Sequence, residues 1–170
     1  MSKREQGRVL AVQALYQWDV RAGDFDAQAD DFLAESTQDS EVYFFARELT
    51  FGARAFRDQA DAWIQRAAAH WEMRRMAAVD RNILRLAIYE MLGRSDIPPR
   101  VAIDQAIELA KRFGAAESGA FVNGILDHVL REAGVGSETA AADTAEPEAD
   151  APAAPAKDAA YPDIKDWEQE

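Results

Sequence analysis

Residues 79–92 read VDRNILRLAIYEML. Val79, Ile83, Leu86 and Ala87 fall on one helical row, and Leu84, Ile88 and Met91 fall on the row beside it. Spacings of three, four and seven mark a helix rather than a strand, whose side chains alternate with period two. An apolar arc this wide predicts a helix buried against more than one neighbour. The partners have to come from the flanking sequence, and that sequence is helical too.

On the N-terminal side, Val9, Val12, Gln13 and Tyr16 trace one stripe, with Ala11, Leu15 and Trp18 beside it. A loop around Ala22-Gly23-Asp24 ends this helix. DFDAQADDFLAES, from Asp24, is an acidic helix. SEVYFFARELTFGARAF, from Ser40, is a longer one, with Val42, Phe45, Leu49 and Phe56 in register and Ser40 as the expected N-cap. DAWIQRAAAHW follows, joined to 79–92 by a basic turn at Arg74-Arg75. On the C-terminal side DIPP breaks the chain, because proline lacks the helical amide and restricts the residue before it. RVAIDQAIELAKRF is a helix closed by Gly114, where a left-handed cap is expected. GAFVNGILDHVLREAG is the last, with Ser118 as its expected cap and Gly134 closing it. Alternating strand patterns are missing. The expectation is an all-α fold of about seven short helices over residues 1–133.

Charge divides the 170 residues differently. The formal net charge is −12, but the segment from Gly134 holds ten acidic residues and two lysines, a net of −8. The body, 1–133, is nearly balanced and has room for a local basic patch. The segment 134–170, rich in Ala, Pro, Asp and Glu, is expected to be disordered, since it offers little apolar surface to offset chain entropy. Its end, YPDIKDWEQE, places Tyr161, Ile164 and Trp167 at three-residue spacing. That is either a docking segment or a loose terminus.

The chain has no cysteine, which excludes disulfides, thiolate metal sites and cysteine nucleophiles. That fits a cytoplasmic protein. No apolar run is long enough for a membrane span, and polar residues interrupt the N-terminal helix too early for a secretory signal. Neither His70 nor His128 has metal-ligand spacing, no glycine loop resembles a phosphate cradle, and the serines lack a nucleophile-elbow context. Asp104 and Glu108 share a helix face at acid–base spacing, but Lys111 and Arg112 follow one turn on, the pattern of a solvated ion-pair surface. No catalytic constellation emerges, and neither a cofactor nor a metal is expected.

What remains is binding. Lys3, Arg4 and Arg8 open a helix whose dipole gains nothing from cations there, so they are free to pair with phosphates. Tyr16, two turns on from Arg8, is placed to stack on a base if exposed. The plain alternative is an ordinary basic N-terminus with Tyr16 in the core. For Phe121, near the start of the last helix, packing and solvent-facing stacking are both open.

AVQALYQWD, VDRNILRLAIYEML and RSDIPPRVAIDQAIELAKRFGAAESGAFVNGILD, taken together, resemble the bacterial transcription antitermination family NusB. The resemblance covers about residues 1–133 and leaves out the acidic tail. It implies two small helical subdomains and a non-enzymatic protein. It further implies pairing with the ribosomal protein NusE, binding of boxA-type single-stranded RNA, and a place in the RNA polymerase antitermination complex on ribosomal RNA operons. Residue by residue, it places Lys3, Arg4, Arg8, Gln13, Tyr16, Glu117 and Phe121 on the RNA side, and Asp80 and Arg85 near the partner. One departure is Glu5-Gln6, where the family has more arginines; each lost phosphate contact lowers affinity and its salt dependence, so weaker RNA binding without NusE is expected. The tail is expected to shield the patch from non-specific RNA. The rival readings are a protein adaptor with little RNA binding of its own, a module of an RNA cytosine methyltransferase with no room here for its catalytic domain, and a self-associating form. Monomer and homodimer both stay open.

Overall fold

The computed structural model describes residues 1–21 and 23–136. Residues 137–170, which hold most of the expected acidic tail and the YPDIKDWEQE segment, lie outside the described residues. The described chain forms seven α-helices: α1 (Lys3–Val20), α2 (Phe25–Ser36), α3 (Ser40–Ala55), α4 (Arg57–Ala67), α5 (Ala78–Gly93), α6 (Pro99–Phe113) and α7 (Ser118–Ala133). A 3-10 turn at Met73–Arg75 links α4 to α5, where the basic turn was expected.

The helices fall into two groups. α1, α2 and α3 pack on one another, and α4, α6 and α7 pack on α5. α5 joins the groups, because it also lies against α1 and α3. This is the wide arc of 79–92 realised: Val79, Ile83, Leu84, Leu86, Ala87, Ile88 and Met91 are all buried. Each of these side chains other than Ala87 contributes about 1.5–3 kcal/mol on burial, so α5 carries a large share of the cohesion. α1 supplies Ala11, Val12 and Leu15 to the same core, and α3 supplies Phe45 and Leu49.

α3 and α5 approach closely at Gly52. A methyl group there would run into the Tyr89 ring, which also fills the space beside Gly93 and lies 5.9 Å from the Phe56 ring. Glycine at 52 makes room for a tyrosine at the helix crossing.

The helix ends differ in detail from expectation. Asp39, one residue before Ser40, caps α3 by accepting from the amides of Glu41 and Val42. Gly134 does close α7 in the left-handed conformation, at φ 63°. Gly114 does not: its φ is −95° and its ψ −175°, an extended geometry open to any residue. Space explains the glycine instead, since a Cβ there would sit 2.5 Å from both Cβ and Oγ of Ser118. Ser118 is likewise not a cap. It is the first residue of α7, and its hydroxyl is engaged elsewhere.

Candidate nucleic-acid interface

The start of α1 is built for helix formation before it is built for binding. Ser2 and Glu5 form a capping box: the Ser2 hydroxyl accepts from the Glu5 amide at 3.2 Å, and the Glu5 carboxylate accepts from the Ser2 amide at 2.6 Å. Both orphan donors are satisfied reciprocally. Glu5, given above as a departure from the family's arginine-rich start, therefore anchors the turn that carries Lys3 and Arg4. Those hydrogen bonds hold its carboxyl below the usual range.

The three cations have three different environments. Lys3 is exposed and sits 2.9 Å from both Asp39 and Glu41, whose hydrogen bonds raise its pKa. Arg4 is exposed and lies over the Phe45 ring, 4.2 Å from its centroid. Arg8 is buried. Its guanidinium donates to both oxygens of Glu90 on α5 at 2.8–3.1 Å, in a pair whose side chains are 5% and 2% exposed. Burial pushes the Glu90 carboxyl up and the bond from Arg8 pulls it back. Arg8 thus clamps α1 to α5, and the exposed face for phosphates that the sequence assigned to it is absent.

Further along α1, Gln13 is 8% exposed and Tyr16 is half-buried against the core. Phe121 is 1% exposed, so packing is its role and the stacking alternative falls. Glu117 is exposed, on the short loop between α6 and α7.

Neither expected partner-side residue is on the surface. Arg85 donates to the Asp61 carboxylate of α4 at 2.6 and 2.9 Å and lies 3.4 Å from Asp19 of α1. Arg81 donates to the same Asp19, and also to the carbonyls of Met73 and Met76, which fastens the 3-10 turn to α5. Burial raises the Asp19 pKa, but the bonds and charges of Arg81 and Arg85 prevail and hold it below its ordinary value. Asp80 is fully buried, with one oxygen 3.1 Å from the Ser118 hydroxyl; burial pushes its pKa up to about 6.

The structure therefore brings four of the nine candidate residues into two places and packs Arg8, Gln13, Tyr16, Arg85 and Phe121 wholly or partly into the interior. One is the α1 start, with Lys3 and Arg4 beside Phe45 of α3. The other is the paired start of α5 and α7, where Asp80 meets Ser118 next to Glu117. Sequence reading missed Arg112 at the end of α6. It lies exposed over the Phe113 ring, and its Nη1 is 3.9 Å from Met1 Sδ, which places a further cation beside the α1 start. A cation in the last turn of a helix was the available signal, but it was assigned to the ion-pair surface. Lys111 does pair with Glu108 there, at 3.0 Å.

The class is thus an all-helical, two-part bundle presenting charged helix ends, with no group of three or more potential metal ligands among the described residues. The NusB family model matches residues 5–131, and the chain belongs to the NusB family. A transcription antitermination protein NusB from Desulfosudis oleivorans is 42% identical over 141 residues, covering 81% of this chain and 91% of its own. The solved NusB of T. maritima is 40% identical with a TM-score of 0.70, covering 76% of this chain and 91% of that one. A solved structure of the antitermination factors NusB and NusE in complex with double-stranded RNA contains a chain 26% identical to this one. Its TM-score is 0.70, and the match covers 78% of this chain and 98% of that one.

Proposed function

We propose that this chain is a transcription antitermination factor, cytoplasmic and non-catalytic, that binds boxA-type single-stranded RNA together with NusE and supports transcription of ribosomal RNA operons. The observation that carries the reading of RNA and NusE as partners is the match, over 98% of the other chain, to a chain of the solved complex of NusB and NusE with double-stranded RNA; the preference for single-stranded boxA-type RNA rests on the family resemblance. In this reading the α1 start supplies phosphate contacts through Arg4 and Lys3, with Arg112 beside them. Lys3 contributes by exchanging Asp39 and Glu41 for phosphate. Arg8, Gln13, Phe121, Asp80 and Arg85 act by holding the helices that present the surface.

Read-through of a terminator placed behind a boxA leader, transcribed with and without this protein and NusE, tests the proposal. The expected result is read-through that requires both proteins and an intact boxA. Read-through indifferent to this protein would overturn it. The adaptor reading draws its support from the internal pairing of Lys3 and Arg8, which leaves few free cations at the α1 start. It predicts NusE binding with no preference among RNA sequences.

A further inference from the structure

Asp80 stands in the first turn of α5, where an acid suits the helix dipole, but it is fully buried there. Its Oδ2 accepts from the Ser118 hydroxyl, while its Oδ1 is buried without a hydrogen-bond partner. Buried carboxylate oxygens are ordinarily satisfied, and one that is not calls for an explanation. What holds the carboxylate here is its other oxygen, through Ser118. Its Oγ accepts from the Ala115 amide at 2.9 Å, and its own amide donates to the Ala115 carbonyl at 3.0 Å. With Oγ accepting from the Ala115 amide, the Ser118 hydroxyl donates in another direction, to Asp80. Gly114 closes against the same serine, with no room for a Cβ. Phe113 and Phe121, both buried, pin the two sides of the turn.

From this geometry we infer that Asp80 is a positioning residue: through Ser118 it fixes the conformation of the loop at residues 114–117 and so the placement of Glu117 on the interface. Asp80 is fully buried and makes no surface contact of its own; a partner or RNA feels it only through the loop. The inference rests on the proposed function above, together with the resemblance that places Glu117 on the RNA side.

The test uses the full chain with NusE and a labelled boxA-type RNA, and compares Asp80→Ala, Asp80→Asn, Ser118→Ala and the double variant Asp80→Ala/Ser118→Ala. Asparagine keeps an acceptor for Ser118 and removes the charge. Asp80→Ala and Ser118→Ala are expected each to weaken RNA binding about fivefold, the double variant to weaken it hardly further, and Asp80→Asn to stay near wild type. Amide exchange at Ala115 is expected to quicken in both alanine variants and not in Asp80→Asn. Fully additive losses, an Asp80→Asn as impaired as Asp80→Ala, or unchanged exchange at Ala115 in Ser118→Ala would overturn the inference. If Asp80→Ala does not fold, Ser118→Ala and Asp80→Asn carry the same comparison. If wild type shows no boxA preference, the functional reading falls, and exchange at Ala115 alone decides the positioning role.

Discussion

Replacing Arg8 by methionine separates the two roles open to that residue. Methionine keeps the unbranched stem and removes the guanidinium. The Glu90 carboxylate is then left buried without the two-pronged donor that neutralises it. Breaking a buried pair from one side costs about 3–5 kcal/mol. The field of Arg94 still favours the Glu90 carboxylate, so the lower end, about 3 kcal/mol, is expected. For a domain of this size that lowers Tm by about 10 °C. Removing both charges, as in Arg8→Met/Glu90→Leu, takes away the orphan along with its partner and is expected within about 1 kcal/mol of wild type. Urea denaturation followed by far-UV circular dichroism measures all three proteins. A single variant as stable as wild type would refute the clamp. So would a normally folded Arg8→Met that lowers the magnitude of the salt slope of RNA binding by about 0.7, the share of one single-strand phosphate contact.

Other perturbations follow from the same geometry. Arg4→Ala is expected to leave stability within about 0.5 kcal/mol and to cut the salt slope of RNA binding by about 0.7, read from titrations at several salt concentrations. Phe121→Ala is expected to destabilise by about 3–5 kcal/mol in urea unfolding, since the ring is fully packed. Gly52→Ala drives a methyl group into Tyr89 and is expected to cost about 1–3 kcal/mol by the same measurement. For pH, the Asp80 pKa is raised in the fold from 3.8 to about 6, so between these values the folded state holds the proton more tightly than the unfolded chain. Stability from this group is therefore full below about pH 4 and falls by up to about 3 kcal/mol as pH rises through 6. Asp80→Asn removes that fall, and unfolding curves from pH 4.5 to 7.5 should show a flatter profile than wild type. Asp19, Asp39 and Asp96, whose pKa values are lowered by their cationic partners, act oppositely and lose their contribution only as pH drops below the usual carboxylate range.

The fold was legible where the pattern was redundant. Residues 79–92 carry an apolar arc wider than a strand or a surface helix accommodates, so the central position of α5 follows from the sequence. Caps were less legible, because neighbouring residues compete for them: Asp39 and Ser40 are both good caps, and only the geometry selects Asp39. Gly114 and Ser118 were read through their local propensities, whereas a contact between the two residues decides both. Arg8 shows the limit of local reading most clearly. Its partner Glu90 is 82 positions away. One signal was nevertheless present, since Arg8 shares a helical row with Ala11 and Leu15, both buried. The capping box Ser2-x-x-Glu5 was also visible, and explains Glu5 as a helix start where the sequence reading saw only a lost phosphate contact. The α1 cations were found, but which of them face solvent depended on helices α3 and α5.

The most direct test of the central claim is equilibrium binding of this protein to a labelled boxA-type single-stranded RNA and to its scrambled counterpart, each with and without NusE, across a salt series. The account predicts tighter binding to boxA, strengthened by NusE and weakened steadily by salt. Equal binding to both RNAs in the presence of NusE would contradict it.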